Sequence, residues 1–460
     1  MDVCFAGAFE QARLVRDGEL SVVELVSATL RQIERTDPRV NAFRVVLGEL
    51  ALDEARKLDA APPSADPAPL FGVPVAVKDD CDVGGEVTAW GTDAYGDAAV
   101  GDAEVVRRLR AAGAVIIGKT HVPEMTAWPW TSSPTWGTTR NPWDLACTSG
   151  GSSGGSAVAA ALGMCGVALG SDGGGSVRYP AGLCGIFGLK PQRDRIPLDP
   201  HTGAWNGLIA IGPLSRTVRD AALFLDASSG TRTALTLSTP LEGLRIAVSF
   251  DPPRGSFAKL SPESRRAVED TAGLLSRLGH HVLERQVDYG NTMWQSTLRY
   301  LDGIADDVET LARPERLAPA TRRLARLGAA LPQQAVTRAT AAQQRVAARI
   351  NRTFESADLV LTPMAGQTAP PADTRQDRGM MWSLRHSNVA AWAVPWNVVG
   401  QPAAAVPAGF DIHDRPLSVQ HCGPPNSEAT LLNLATQLET ARPWAHRHPV
   451  PHPTTARRDR

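Results

Sequence analysis

Apolar residues recur at two spacings along the chain, one typical of surface helices and one typical of buried strands. After Ser21, the apolar side chains of one segment fall three or four residues apart, at Val23, Val26, Leu30 and Ile33. This spacing predicts an amphipathic helix. Ser21 followed by Glu24 has the sequence of a capping box, which favours a helix start at this point. We expect the helix to end near residues 36–38, because Pro38 disfavours its continuation.

Strand-like and helix-like segments alternate in the first half of the chain and again near residue 250. The run LFGVPVAVKD has valines at every second position before Lys78, which predicts a buried strand that this lysine ends. Residues 102–113 indicate a helix, and the β-branched run AVIIG follows it as a strand. A further strand is predicted at residues 244–250, followed by a helix that starts at Ser261 and Pro262. This alternation predicts an α/β layered fold.

The second half of the chain contains three segments of different character. Residues 290–355 are rich in Arg and Ala and are predicted to be mostly helical, as a lid or a flank, before the strand-like DLVLTP at residues 358–363. Residues 365–382 are predicted to form a long loop, which Met381 and Trp382 make apolar. Residues 451–460 are typical of a flexible, solvated tail.

Composition and charge limit the class of protein. With 460 residues, 43% of them apolar and 21% charged, the chain has the composition of a soluble globular protein. A net charge of -1 supplies no overall field to attract nucleic acid or an anionic membrane, so neither is predicted as a partner. No apolar run approaches the ~20 residues of a membrane span. Six cysteines without a CxxC pair, and an N-terminus without a signal sequence, predict a reduced, cytoplasmic protein.

The most informative stretch, residues 148–191, is rich in glycine and serine. The run GGSSGGS alone is typical of a flexible linker. Here it leads into a strong helix former at residues 157–162, so its backbone lies at a helix N-terminus, where free N–H groups bind an anion or an oxyanion. A second cluster at residues 172–176, DGGGS, follows an apolar strand-like run. Glycine at such a turn lets the backbone approach a ligand closely.

These segments resemble the amidase signature family of serine hydrolases. The resemblance rests on LFGVPVAVKD, GTTRNPWD, SGGSSGGSA, the D-x-G-G-S-x-R-x-P pattern at residues 172–180 and CGIFGLKP at residues 184–191. It implies one domain at residues 1–450, with its core motifs at residues 70–195. The implied fold is α/β/α, with a large, mixed, twisted β-sheet covered by helices on both faces.

Carried over onto this chain, the resemblance implies a Ser-cisSer-Lys triad. Ser176 would be the nucleophile, Ser152 the bridging serine and Lys78 the base. The oxyanion hole would be formed by the N–H groups of Gly173, Gly174, Gly175 and Ser176. The residue types suit this chemistry, because a serine hydroxyl needs a base to become a nucleophile, and burial lowers the pKa of a lysine toward the range of a base. No metal and no cofactor are expected.

Two other motifs fit the letter patterns of known sites. Residues 113–120 match the phosphate-binding pattern G-x-x-x-x-G-K-[ST], but the intervening residues are themselves predicted as a strand, which disfavours nucleotide binding. Residues 151–155 match G-x-S-x-G, which would make Ser153 the nucleophile of an α/β-hydrolase-type esterase. The preceding segment is typical of a turn rather than of the strand that such a motif requires. The esterase is therefore the weaker alternative.

Several tryptophans near the glycine-serine segment indicate an apolar pocket. The candidate substrate-binding residues are Met125, Trp128, Trp130, Ser153, Arg178, Met381 and Trp382. Ser153 and Arg178 also have structural interpretations, Ser153 in the turn and Arg178 in an ion pair with Asp172. We expect a small-molecule substrate, either an aryl or bulky apolar amide or a carbamate (urethane), with ester cleavage as a side activity.

Two questions stay open at the level of sequence. The same family includes the glutaminase-type amidohydrolase subunit of a tRNA-dependent amidotransferase complex, which is the alternative function for this chain. A homodimer is also left open.

Overall fold

The computed structural model describes residues 2–60, 68–237, 241–372 and 388–449. Met381, Trp382 and the predicted tail at residues 451–460 lie outside these ranges. The strands of the described ranges are β1 Phe43–Val46, β2 Pro74–Lys78, β3 Val115–Thr120, β4 Ser132–Ser133, β5 Gly137–Thr138, β6 Val167–Asp172, β7 Phe187–Lys190, β8 Ala210–Ser215, β9 Arg245–Val248, β10 His281–Glu284, β11 Leu359–Pro363, β12 Ala403–Phe410 and β13 Pro416–Cys422.

The α-helices of the same ranges cover the sheet and form the flank of the molecule. They are α1 Ala8–Arg16, α2 Val22–Val40, α3 Gly48–Ala60, α4 Glu104–Ala111, α5 Gly154–Ala161, α6 Arg178–Cys184, α7 Ala204–Gly207, α8 Val218–Ser229, α9 Pro262–Arg277, α10 Thr292–Glu309, α11 Pro319–Ala329, α12 Gln333–Ala341, α13 Gln343–Asn351, α14 Val394–Val399 and α15 Glu428–Ala441. None of them combines the length and the apolar character that crossing a bilayer requires.

Eleven of the described strands form one sheet in the order β1-β3-β2-β6-β8-β7-β12-β13-β11-β9-β10. The sheet is mixed, since β2 runs parallel to β3 and to β6, whereas β6 and β8 are antiparallel. Strands β4 and β5 pair separately. The predicted α/β fold with a large mixed sheet is therefore confirmed.

Both faces of the sheet are buried, because successive side chains of a strand point to opposite faces. In β2, Val75 and Val77 belong to one apolar cluster and Ala76 belongs to another. The first cluster includes side chains of α4, α8, α9 and α15, and the second includes side chains of α2, α3, α5 and α6. Each fully buried valine contributes about 1.5–3 kcal/mol relative to an exposed one. The helices are thus held on both sides of the strands that carry the candidate site.

Most predicted elements agree with the observed ones. Strand β2 ends at Lys78, strand β11 covers most of DLVLTP, and residues 290–355 are largely helical. The predicted end of α2 is wrong by a few residues, because the helix continues to Val40 with Pro38 in its last turn. Asn41 ends the helix with a φ of 56°, a left-handed conformation that asparagine tolerates better than most residues.

The helical flank is attached to the segment that precedes the glycine-serine stretch. Glu124 is almost fully buried and accepts hydrogen bonds from the N–H of Ala318 at 3.0 Å and the hydroxyl of Thr321 at 2.6 Å. The hydroxyl of Tyr300 in α10 donates to the carbonyl oxygen of Ala127 at 2.7 Å. These contacts tie α10 and α11 to the segment that leads into the site.

Candidate active site

Two neighbouring parallel strands bring the candidate residues to one edge of the sheet. Strand β2 ends at Lys78, and β6, which is parallel to it, ends at Asp172. The carboxyl ends of parallel strands are a common location for ligand sites. Ser152 lies just before α5, which leads back into β6. Ser152 and Ser176 are 24 positions apart, and the segment between them holds one helix and one strand, as the sequence predicts.

Lys78 is fully buried, and its amine contacts oxygens of three residues. The Nζ atom lies 2.8 Å from Ser152 Oγ, 2.6 Å from Ser171 Oγ and 3.3 Å from the Ser171 carbonyl oxygen. It also lies 3.1 Å from Asp80 Oδ2. A lysine in direct contact with a serine hydroxyl, and shielded from water, has the geometry of a proton acceptor for that serine.

Burial lowers the pKa of Lys78 from 10.5, because an ammonium group loses its hydration in the interior. The carboxylates of Asp80 and Asp172 act in the opposite direction. The effect of burial is larger than that of the two carboxylates, so the net result is a lowered pKa of Lys78. The neutral form of Lys78 is therefore reached at a lower pH than for a lysine in water.

The glycine-serine run around Ser152 is tightly packed rather than a flexible linker. The Gly151–Ser152 peptide bond is cis, and Ser152 is almost fully buried. A Cβ atom at Gly151 would stand 2.8 Å from the Trp128 carbonyl oxygen, and one at Gly155 would stand 2.6 Å from the backbone nitrogen of His121. These distances are too short for a side chain, so glycine is required by the close approach of neighbouring backbone.

The turn after β6 is organised by the carboxylate of Asp172. This side chain accepts hydrogen bonds from the N–H groups of Gly175 at 2.7 Å and Val177 at 3.2 Å. It also pairs with the guanidinium of Arg178 at 2.9 Å. Burial by itself would raise the pKa of Asp172, but the charge and hydrogen bonds of Arg178 outweigh burial and hold that pKa well below its usual range. The carboxylate thus stays charged and fixes the turn that presents Ser176.

Ser176 lies in this turn and is half-buried. Within the described residues its hydroxyl makes no hydrogen bond, and the N–H groups of Gly173, Gly174 and Ser176 also donate to no atom there. One predicted donor of the oxyanion hole, Gly175, is different. Its N–H donates to Asp172, whereas the other three predicted N–H groups have no acceptor within the described residues.

Two predicted substrate-binding residues have their polar atoms hydrogen-bonded inside the protein, which favours the structural interpretation of each, and their contact with a substrate stays a prediction. Arg178 is fully buried and its guanidinium donates to Asp172, Asn397 and Gln420. Ser153 is also fully buried, with its hydroxyl donating to the Ser171 carbonyl oxygen at 3.1 Å. The segment before Ser153 is not a strand, so the esterase motif lacks the strand that it requires.

The P-loop pattern also fails in the structure. Three of the four residues between its two glycines belong to β3, and Lys119 is buried against Asp79 and the carbonyl oxygen of Val87. A phosphate-binding loop has to open a helix instead.

Met125, Trp128 and Trp130 are packed in the interior of the flank. All three are almost fully buried, and the two indole rings stack at 5.4 Å. The cleft beside Trp130 has a volume of about 10 Å³, enough for about one water molecule. The backbone of Trp128 and Trp130 lies against Gly151. Contact of the three side chains with a substrate stays a prediction.

Several residues at the site escaped the sequence analysis. A Cβ atom at Gly173 would stand 2.7 Å from the ring of Trp205, and one at Gly174 would stand 3.8 Å from Val394. Trp205 and Val394 thus form apolar walls beside the turn of Ser176, and Asp80 and Ser171 surround Lys78. In the sequence, the two consecutive acidic residues after Lys78 and the serine before Asp172 could have indicated Asp80 and Ser171. Their contacts, however, depend on the pairing of β2 with β6.

The fold agrees with the comparisons to known proteins. The sequence model of the family described as Amidase matches residues 24–432. The chain therefore belongs to the amidase signature family and is an amide hydrolase of that family. It is 47% identical over 97% of its length to the Mycobacterium tuberculosis protein named "Putative amidase AmiB2", of which it covers 98%.

Other relatives differ in what their names say they act on. The chain is 33% identical to 6-aminohexanoate-cyclic-dimer hydrolase of Paenarthrobacter ureafaciens, with 96% of each chain covered. A solved structure of a 6-aminohexanoate cyclic dimer hydrolase complexed with substrate matches with a TM-score of 0.89 and 31% identity, covering 97% of this chain and 99% of that one. A glutamyl-tRNA(Gln) amidotransferase subunit from Thermotoga maritima matches with a TM-score of 0.75 and 28% identity, covering 94% of each chain.

Proposed function

We propose that the protein hydrolyses the carbon-nitrogen bond of apolar amides through an acyl-enzyme on Ser176, with Ser152 as the bridging serine and Lys78 as the base. The observation that carries this proposal is the buried Nζ of Lys78, which lies 2.8 Å from Ser152 Oγ. Its lowered pKa supports the role of a base, because a neutral amine is needed to accept a proton.

Protons move in both directions along this chain of groups. In the first step the Ser176 hydroxyl attacks the amide carbon while its proton passes to Ser152 Oγ, and the Ser152 proton passes to Lys78 Nζ. Collapse of the tetrahedral intermediate breaks the C–N bond, and the proton returns through Ser152 to the leaving amine. Water then attacks the ester carbon of the acyl-enzyme by the same relay and frees Ser176.

The negative oxygen of each tetrahedral intermediate needs hydrogen-bond donors. The free N–H groups of Gly173, Gly174 and Ser176 are the proposed donors, and one such donor typically contributes about 3–4 kcal/mol to the barrier reduction. Gly175 is left out because its N–H is bonded to Asp172.

The proposed substrate class follows from the walls of the site. Trp205 and Val394 place apolar surface beside the turn of Ser176, which favours an aryl or bulky apolar acyl group over a polar one. Carbamates present the same carbonyl, and esters require less protonation of the leaving group, so both are proposed as additional substrates. The likeness to a hydrolase named for a cyclic dimer adds cyclic amides to the compounds worth assaying.

The proposal is tested by labelling and by two serine variants. Intact mass and peptide mapping after treatment with a sulfonyl fluoride should find one adduct, on Ser176. Ser176→Ala should abolish hydrolysis of p-nitroanilides, whereas Ser153→Ala should retain it because Ser153 makes only an internal hydrogen bond. A label on another serine, or an active Ser176→Ala variant, would overturn the assignment.

The amidotransferase alternative is supported by a weaker structural likeness than the stand-alone hydrolases. A glutaminase assay on the purified chain separates the two functions. Release of ammonia from glutamine without hydrolysis of apolar amides would favour the amidotransferase role. The cytoplasmic location and a homodimer remain predictions.

A further inference from the structure

Asp80 places a carboxylate beside Lys78, the proposed base. The proposed proton relay through Ser152 and Lys78 does not use this carboxylate. Its Oδ2 lies 3.1 Å from Lys78 Nζ and accepts the hydroxyl of Ser171 at 2.5 Å. The side chain is 6% exposed, and its Oδ1 makes no hydrogen bond within the described residues. A buried carboxylate with one unpaired oxygen is unfavourable for stability. Asp80 therefore calls for an explanation beyond packing.

The contacts around Lys78 define where its lone pair points. A neutral amine has two N–H groups and one lone pair. Because the Ser171 hydroxyl gives its proton to Asp80, its oxygen is free to accept one N–H of Lys78 at 2.6 Å. The Ser171 carbonyl oxygen accepts the other at 3.3 Å. Asp80 Oδ2, a carboxylate oxygen 3.1 Å from Nζ, can only accept an N–H and so shares the second one. The neighbour left to face the lone pair is Ser152 Oγ at 2.8 Å, the hydroxyl from which the proton has to come.

We propose that Asp80 is a positioning residue, which through Ser171 aims the lone pair of Lys78 at Ser152 and stabilises the ammonium that forms when Lys78 takes the proton. This inference rests on the proposed function. As the Ser152 O–H bond breaks, a third N–H bond forms on Lys78, and the new positive charge lies beside the Asp80 carboxylate. The buried aspartate of a Ser-His-Asp triad stabilises its imidazolium in the same manner.

The other ionisable groups near the amine are already paired or uncharged. Asp172, at the end of β6, is bound to Arg178. Burial raises the pKa of the Cys81 thiol, which stays protonated. On the neighbouring strand β3, Lys119 is paired with Asp79. Within the described residues, Asp80 is therefore the carboxylate that contacts Lys78 directly.

The test is the pH profile of kcat/KM for Asp80→Asn, a variant that keeps the shape of the side chain and removes its charge. An opposite charge at this distance typically shifts a pKa by about 1–3 pH units in favour of the charged form. Without the charge of Asp80, the neutral amine of Lys78 forms at lower pH. The acid limb of the profile should therefore shift to lower pH by about that amount. The plateau should fall as well, by up to about tenfold for each pH unit that the limb moves.

Asp82→Asn is the matched control, because Asp82 lies two residues further along and bonds Thr88 and His201 instead of Lys78. Its acid limb should coincide with that of the wild type. An unmoved acid limb in Asp80→Asn would overturn the inference, even if activity fell, because a purely structural role lowers activity without moving the limb. If Asp80→Asn does not fold, Asp80→Ser offers the same readout.

The two proposals fail in different ways. Activity that survives Ser176→Ala would remove the proposed function itself. Activity that requires Ser176 and Lys78, combined with an unchanged pH profile in Asp80→Asn, would remove only the role of Asp80.

Discussion

Arg178→Met should destabilise the protein strongly, although the guanidinium touches no substrate. Arg178 is fully buried and pairs with Asp172 through Nε and Nη2, each at 2.9 Å. Its loss leaves the Asp172 carboxylate buried without its ion-pair partner, and breaking a buried pair in this way costs about 3–5 kcal/mol. The side-chain oxygens of Asn397 and Gln420 also lose a donor. We therefore expect the upper end of that range at pH 7.

The destabilisation caused by Arg178→Met should depend on pH. In the wild type, Arg178 holds the pKa of Asp172 below its value in the unfolded chain, so this group stabilises the fold above about pH 4, and the stabilisation is lost as the pH falls through the folded pKa. In the variant, burial without the guanidinium raises that pKa above the unfolded value. The carboxyl then takes up a proton at a higher pH than in the wild type, and the destabilisation should shrink as the pH falls.

Urea unfolding of both proteins at pH 7 and pH 5 measures the effect. Arg13→Met is the matched control, since Arg13 makes a partly exposed ion pair with Glu10 in α1, and such pairs contribute only about 0–1 kcal/mol. A loss of less than about 1 kcal/mol in Arg178→Met at pH 7, or an equal loss at both pH values, would contradict this expectation.

Three other outcomes concern activity. Gly173→Ala should lower kcat/KM, because the new Cβ would stand 2.7 Å from the ring of Trp205 and displace the proposed oxyanion donors. Adding Trp205→Ala should restore part of the lost activity. If the losses of the two substitutions simply add, this explanation is contradicted. The kcat/KM of the wild type should rise with pH, and this rise should occur below pH 10.5, because burial lowers the pKa of Lys78 from that value and the neutral form of the lysine is the active one. Lys78→Met should lose about 10²–10⁴-fold in kcat, and a variant that kept the wild-type profile would show that another group is the base.

Local sequence patterns predicted the elements that carry the site. The alternating valines before Lys78 predicted β2, because a strand buried on both faces needs apolar side chains at nearly every position. The helix former after GGSSGGS predicted α5, and the glycines after VALG predicted the turn that ends β6. The motif resemblance then connected Lys78, Ser152 and Ser176. These signals are local in sequence, and so they can be recognised without knowledge of the fold.

Only the tertiary structure decided which atoms are free to act. The guanidinium of Arg178 donates hydrogen bonds to Asn397 and Gln420, which are 219 and 242 residues away along the chain. No local sequence pattern predicts such contacts. The same is true of Asp80, which meets Ser171 only because β2 and β6 pair as parallel neighbours. Hydrogen bonds are directional and short, so the choice between a structural and a chemical role depends on positions fixed by packing of distant segments.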